Sequence, residues 1–434
     1  MKQLLCVVTL VVCVAPVVAD DWPQWLGPKR DSVWRETGII DKFPEGGPKV
    51  LWRAKVSGGF TGPAVAAGKV YVADYLTDGD VKKEVYDRTN FTGKERVHCL
   101  DAATGEPVWK YEYDCRYTVS YPIGPRCTPT VHEGKVYFLG TEGNLSCIDA
   151  AKGTLLWSKD FQKDYGAKTA IWGYASHPLV DGKLLYCVVG GAGSCVVAFD
   201  KDTGTEVWKA LTADEQGYSP PTMIESGGTK QLLIWHATSI NALDPATGKK
   251  YWTVPLQVGN YKTSIMTPRK DGDLLYAAGE GVHGVMIQLA ADKPDAKELW
   301  RGKKTNGVYP MNMTPWVENG YMYGVDHTGP LRCVKMATGE RVWDSTVWFN
   351  GKPQDAATAF IVKNGDRFFL FTEKGDLVIA RLSPEKYEEV SRAHLLEPTT
   401  TAFGRSVVWS HPAYAEGCVY ARNDKEIVCV SLKK

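Results

Sequence analysis

Along most of this chain, apolar residues alternate in short runs that end in a polar turn and a tryptophan. The run KVYVADY (69–75) leads to VHCLDAATGEPVW at Trp109, and KVYFLG (135–140) leads to SCIDAAKGTLLW at Trp157. Alternation with a period of two predicts strands with one buried face. Further copies read FDKDTGTEVW to Trp208, LDPATGKKYW to Trp252 and VKMATGERVW to Trp343, with a degenerate DAKELW at Trp300 and half a copy, GGPKVLW, at Trp52. From Trp109 to Trp343 the steps are 48, 51, 44, 48 and 43 residues. A period in this range, with Thr-Gly turns and β-type flanks, signals repeated supersecondary units and not one globular core.

A second column fixes the phase. Each unit opens on a proline-led signal, at Pro63, Pro129, Pro178, Pro221, Pro268, Pro315 and Pro412, and Ala359 takes the same place in the eighth. Between an opening and its tryptophan there is room for four strands of about five residues, separated by Gly, Asn and Asp turns. The predicted fold is all-β: an eight-bladed β-propeller of four-stranded antiparallel blades, a ring form that leaves only short sheet edges. The last unit, from Pro412 to Lys434, lacks its fourth strand and its tryptophan. KVLWRAKV (49–56) is an orphan fourth strand. The two ends are therefore expected to share one blade and close the ring over residues 49–434.

The predicted faces of the disc are unequal. The turns between first and second strands are minimal (AAGK, HEGK, VDGK, ENG), as are the Thr-Gly turns. The opposite face carries the long connections 113–127, 161–176, 344–357 and 397–410, and a charged enlargement at 76–95. Loops held on a rigid scaffold are where binding residues concentrate. The candidate ligand-binding residues are Tyr121, Arg126, Trp172, His177, Tyr309, Asn312, Trp409 and His411, accompanied by Tyr174, Tyr218, Tyr261, Trp348, Lys262 and Arg405. Aromatics with adaptable polar neighbours suit sugars, peptides or partner loops. The same rings also serve as plugs that fix loops to blades. His177 and His411 stand in repeat-equivalent Ser-His-Pro triplets, a position that favours a buried, hydrogen-bonded histidine over a ligand.

Residues 1–19 read as a signal peptide: Lys2, an apolar stretch from Leu4 to Val14, then Val17-Val18-Ala19. Residues 20–48 stand outside the repeat; DDWPQWLGPKRDSVW is too aromatic for a free tail and is expected to pack on the disc. A formal net charge of +1 gives no support for nucleic acid or an anionic membrane surface. An exported chain permits disulfides, and Cys115 and Cys127 share one connection and are candidates for a bridge; Cys187 and Cys195 are placed to face each other across a hairpin. Cys99, Cys147, Cys333 and Cys429 share one repeat column with Ala198, Ala242 and Ala380, which marks a tight buried spot.

The Asp-x-x-Thr-Gly-x-x-x-Trp unit resembles the repeat of the pyrroloquinoline-quinone-like (PQQ-like) propeller superfamily, and the opening DWPQWLGPKRD is similar to that of exported BamB-like members from planctomycete-type bacteria. The resemblance implies that Trp52, Trp109, Trp157, Trp208, Trp252, Trp300 and Trp343 dock each blade on its neighbour, and that Val390 marks a weaker joint. It also implies one of two occupations: a non-catalytic protein-binding scaffold, or a quinoprotein dehydrogenase holding PQQ and calcium on the axis. The chain has no adjacent Cys-Cys pair, no CxxCH and no calcium-like carboxylate grouping, so the expectation is no cofactor and no metal. GEGVHG (279–284) is followed by VMIQLA, a strand and not the helix a dinucleotide loop needs. The expected molecule is an exported, non-enzymatic envelope protein, monomeric and without a transmembrane segment, that binds a protein or polysaccharide ligand through its loop-rich face. A small alcohol or sugar dehydrogenase and a carbohydrate-binding propeller are the alternatives.

Overall fold

The computed structural model describes residues 20–81, 86–347 and 354–434. Residues 1–19, expected to be a signal peptide, and Trp348 lie outside them. Eight four-stranded antiparallel sheets follow in chain order: blades 1 to 7 span 64–117, 130–160, 179–210, 222–255, 269–301, 316–345 and 359–394. The eighth is built from Ala413–Ala415, Cys418–Arg422, Glu426–Ser431 and the early strand Val50–Lys55. Val50 pairs with Val430 and Lys55 with Glu426, so the two ends of the chain close the ring as expected. Among the described residues, no helix is long and apolar enough to cross a membrane.

One joint recurs around the ring. A bulge falls on the residue before each blade tryptophan, so the fourth strand turns that residue outward and the indole toward the next blade. This explains the exposed apolar residues Leu51, Val108, Leu156, Val207, Leu299 and Val342. The indole nitrogens donate to a turn carbonyl of the next blade: Trp52 to Ala102 at 2.9 Å, Trp109 to Ala150 at 2.9 Å, Trp208 to Pro245 at 3.0 Å and Trp300 to Met336 at 2.7 Å. Trp157 and Trp343 do the same with Lys201 and Ser383. The six-membered ring lies on the glycine of the Thr-Gly turn. A methyl group on Gly105, Gly153, Gly204 or Gly248 would sit 2.6–2.7 Å from it, and each of these glycines has positive φ. Glycine is required there twice over, for backbone conformation and for contact. In blade 1 Tyr71 from the second strand and Trp109 from the fourth flank the buried Cys99, whereas in blade 5 Tyr276 and Trp300 flank Met286 in the same column.

Three joints depart from this rule, one of them only in the glycine: blade 7 has Ser383-Pro384-Glu385-Lys386 in place of the Thr-Gly turn, and Trp343 keeps its bond to the Ser383 carbonyl. Blade 5 has no Thr-Gly turn, and Trp252 instead donates to Gln231 of its own blade at 2.8 Å. In blade 7 the bulge lies one residue earlier on the third strand, with Ser391 opposite Ile379 and Glu389 opposite Ala380. Val390 stands between them, where the repeat has tryptophan in the other blades. Val390, expected to mark a weaker joint, brings no indole there but packs half-buried against the core, and the joint is covered from outside the repeat. Phe43 of the lead-in is buried there and its amide donates to Ser391 Oγ at 3.1 Å.

The lead-in (20–48) crosses the short-turn face. Trp22 pairs with Val65, Val33 with Lys363 and Ile39 with Lys433. Trp22, Trp34 and Ile39 are each 1% exposed. Asn364 Nδ2 holds the carbonyls of Trp34 and Glu36 at 2.9 and 2.8 Å. Part of the segment enters the axial channel. The Arg30 guanidinium reaches the Pro178 carbonyl at 3.0 Å, while Arg269 donates to the carbonyls of Arg30 and Asp31 at 3.3 and 2.9 Å. Burial pulls both guanidinium groups below their usual range, Arg30 to about 9 and Arg269 to about 10.

The nine described cysteines are free thiols, all buried. The bridge expected between Cys115 and Cys127 is not formed. Cys115 lies inside the strand Pro107–Tyr117, opposite Gly93, and packs with Tyr75 and Tyr117. Cys127 belongs to a separate cluster with Cys187 and Tyr174, and its thiol reaches the Tyr174 carbonyl at 3.6 Å. Burial pushes both thiols up. Cys187 and Cys195 are unbridged as well.

Candidate functional site

On the loop-rich face, carboxylates from the middle turns, and Asp74 near the end of the strand Lys69–Leu76, tie down the connections between blades. Glu142 accepts from the Thr118 amide at 2.5 Å, Asp326 from the Tyr309 amide at 3.0 Å, Glu373 from the Thr358 amide at 3.1 Å and Asp74 from the Ser57 amide at 2.6 Å. Most of these acids also hold a cation: Asp74 sits between Arg96 and His98, Asp326 beside Arg332 and Glu373 beside Arg405. Burial works against the Asp326 carboxylate, but His327, Arg332 and Thr328 outweigh it and hold the group down at about 2. Buried charges persist when they are paired in this way. The result is a set of stiff connections that converge on the axis.

They enclose a cavity of about 410 Å³. One wall is Phe60, Tyr121, Phe403 and Trp409, with ring centroids 6.3–6.5 Å apart from that of Trp409. The other is Trp172 with Tyr218 and Tyr261, at 5.8 and 5.4 Å. Tyr86, Tyr261 and Phe403 form an exposed rim at 57%, 58% and 39%. Tyr121 and Phe403 hold left-handed backbone at φ 49° and 50°, as does Lys262 at 55°. Non-glycine residues in that region carry backbone strain, which clusters at ligand clamps.

The floor comes from the lead-in. Trp25 stacks between the two repeat-equivalent histidines, 4.1 Å from His177 at 11° and 4.4 Å from His411 at 26°. Its indole nitrogen donates to Thr267 Oγ1 at 2.9 Å. His177 Nδ1 accepts from the Thr128 amide at 2.8 Å, whereas neither ring nitrogen of the buried His411 has a partner. Burial keeps both rings neutral: His177 is pushed well below the ordinary histidine range, helped by Arg30, and His411 is pushed to about 4.

Polar groups in the wall are few. Arg126 lies over the Phe60 ring at 5.2 Å and donates to the carbonyls of Ser120 at 3.0 Å, Tyr121 at 2.7 Å and Gly124. Glu280 accepts from Thr263 Oγ1 at 3.2 Å. Asn312 Nδ2 is buried without a partner.

Of the sequence-predicted residues, Tyr121, Arg126, Trp172, His177, Asn312, Trp409 and His411 meet in this one cavity. Tyr309 does not. It is fully buried, its hydroxyl bonds Asn306 Oδ1 at 2.7 Å and the Lys303 carbonyl at 3.1 Å, and its ring packs over Gly302 and Gly307. It is a plug and not a site residue. Tyr174 is likewise buried, with its hydroxyl on the Val189 carbonyl at 2.7 Å. Lys262 faces Asp214 at 3.9 Å, and Arg405 is spent on Glu373. The cavity also draws on Trp25, Phe60, Tyr86, Glu280 and Phe403, which the sequence did not single out. The pair of Ser-His-Pro triplets was the available signal that something flat stands between them on the axis.

Comparison with known proteins gives a consistent family and fold. The family model described as "Outer membrane protein assembly factor BamB" matches residues 37–137, 93–345 and 236–434. The protein of that name from Moranella endobia is 24% identical over 198 residues, covering 43% of this chain and 46% of the relative. That from Shewanella oneidensis is 22% identical over 221 residues, covering 46% of this chain and 54% of the relative. The chain thus spans about half the length of the curated relatives it matches. Among solved structures, BamB from Moraxella catarrhalis superposes with a TM-score of 0.58 at 14% identity, over 88% of this chain and 99% of that one. Quinohemoprotein alcohol dehydrogenase from Comamonas testosteroni gives 0.60 at 15% identity, over 95% and 81%. Likeness at this identity concerns the fold alone.

Proposed function

The chain belongs to the family described as outer membrane protein assembly factor BamB, and from that premise we propose that it is an exported, non-catalytic scaffold of the cell envelope that binds a protein or polymer ligand through its loop-rich face. The observation that carries this reading is the axial cavity, open to solvent through Tyr86, Tyr261 and Phe403 and closed below by Trp25. The curated relatives are named for outer membrane protein assembly. An envelope location and a partner there are what this name contributes.

The competing occupation is a quinoprotein dehydrogenase, and the lining does not fit its cofactors. Calcium takes about six to eight oxygen ligands, usually several of them carboxylates. Glu280 is the one carboxylate among the described lining residues, and it already serves Thr263. A quinone that carries several carboxylates needs cations, yet the Arg126 donors are directed at backbone carbonyls. Adding quinone and calcium to the purified chain should produce no dye-linked oxidation of alcohols or sugars.

Photo-crosslinking tests the binding face. A crosslinking amino acid at Tyr86 or Tyr261 should trap an envelope partner, and one at Lys69 or Lys135 should not. Adducts from the lysine positions alone would place the interface on the wrong side of the disc.

A further inference from the structure

The cavity walls are apolar, but its buried polar atoms decide what can fill it. His411 is 3% exposed, lines the cavity and leaves both ring nitrogens without a partner. Asn312 leaves its Nδ2 donor unpartnered on the same lining. Buried polar groups are nearly always hydrogen-bonded, so each exception needs a reason. A purely apolar occupant, such as a leucine or phenylalanine side chain, would leave these atoms unsatisfied. An anionic occupant needs free cationic donors, and the Arg126 guanidinium is turned to the carbonyls of Ser120 and Tyr121. The histidines that could have supplied positive charge are held neutral by burial. What remains is a neutral molecule with an apolar face and a hydroxylated edge.

Pyranose rings have that character. Their C–H faces stack on aromatic rings, and their hydroxyls act as both donors and acceptors. They would therefore suit a neutral imidazole, which offers one donor and one acceptor, and an amide NH₂ group. The opposed walls, Trp409 with Tyr121 and Trp172 with Tyr261, supply two platforms. The volume, about 410 Å³, lies in the range of small-ligand sites.

We propose that the axial cavity receives the end of a neutral polysaccharide or oligosaccharide, with roughly one or two pyranose rings held between the Trp172 and Trp409 walls above Trp25 and hydrogen-bonded to Asn312 and His411. This rests on the reading that the loop-rich face is the binding face, and it names the chemistry of the ligand. Trp25 makes the lead-in part of the site: without it the floor would fall away into the channel.

The test is a titration of the full chain with maltotriose, cellotriose, mannotriose, xylotriose and N-acetylchitotriose, followed by tryptophan fluorescence and calorimetry, beside a broad glycan array. At least one neutral glycan should bind saturably and perturb the fluorescence. Asn312→Leu keeps the volume and removes the donor; it should weaken that binding about tenfold with the melting temperature unchanged. Trp172→Ala should weaken it about thirtyfold. The proposal is overturned if no neutral glycan binds, if binding survives both substitutions, or if only anionic glycans bind in a salt-sensitive way. Rim crosslinks to a protein partner combined with failure of every neutral glycan would leave the loop-face reading standing and remove this one. Loss of both results would remove both.

Discussion

The two faces of this disc are built from the same eight blades, yet one is sealed and the other is open. On the short-turn face, the lead-in lies across the inner strands, buries Trp22, Trp34 and Ile39, and sends Arg30 and Trp25 into the channel. On the loop-rich face, carboxylates such as Asp326 and Glu373 brace the connections but leave a cavity between them. The contrast shows how a repeat scaffold becomes a binding protein. Its periodic residues, the docking tryptophans and their glycines, are consumed by the ring. The aperiodic segments decide which end of the axis is accessible.

The largest expected effect comes from removing the seal. Deleting residues 20–48 removes the buried Trp22, Trp34 and Ile39, bares the inner-strand surface they cover and uncovers the joint beside Ser391. At about 1.5–3 kcal/mol for each large apolar side chain, the loss should be on the order of 5 kcal/mol, read as a large drop in melting temperature. An unchanged transition would mean that the lead-in only rests on the disc.

Next is the pH response of the floor. Unfolded His411 takes up a proton near the ordinary histidine value of 6.5, but the folded ring does so only near about 4. The stability tied to the neutral ring is complete above about pH 6.5 and drains away as the pH falls toward 4; linkage puts it at about 3 kcal/mol. His236, also pushed by burial to about 4, shares this window. Asp326 acts only below it, between its ordinary value and about 2. Thermal melts between pH 7 and 4.5 should therefore show falling stability, and His411→Gln should flatten part of the slope. An identical slope in the variant would place the proton elsewhere.

A smaller effect separates joint from turn on the sealed side. Gly204 and Gly182 both have positive φ, 70° and 59°. A methyl group at Gly204 meets Trp157 at 2.7 Å, and one at Gly182 meets nothing within 4 Å. Gly182→Ala should cost about 1 kcal/mol for backbone alone, and Gly204→Ala about 1–3 kcal/mol more. Equal losses in denaturant titrations would show that the indole docking contributes nothing.

The ring was legible in the sequence because its determinants are local and repeat: Asp-x-x-Thr-Gly and the tryptophan sit within one turn and one strand. The blade count and the shared closing blade follow from that column. The joint at Val390 was legible as a missing indole, but its cover was not, because Phe43 reaches Ser391 from a lead-in outside the repeat. The site was legible in part. The two histidines stand at equivalent strand entrances, with Trp172 and Trp409 on the connections just before them, so the fold brings them together. Tyr309 occupies a similar place, but Gly302 and Gly307 leave a slot beneath it and Asn306 binds its hydroxyl, so it turns inward. Trp25 escaped notice because its place depends on a lead-in folded over the far face, which no periodicity encodes. The expected Cys115–Cys127 bridge failed for a related reason: twelve positions in one connection say nothing about two different clusters.

The asymmetry of the faces is tested most directly by ligand affinity measured on paired variants. Trp172→Ala and Trp409→Ala remove central aromatics from the open face, and Lys69→Glu and Lys135→Glu reverse charges at the short turns of the other. Truncating a central aromatic anchor costs about 2 kcal/mol or more, roughly a thirtyfold loss of affinity. The expected result is that loss in the two tryptophan variants, with melting temperatures near that of the parent chain and unaltered binding in the two lysine variants. Full affinity in Trp172→Ala and Trp409→Ala, with binding instead lost in Lys69→Glu and Lys135→Glu, would contradict the account.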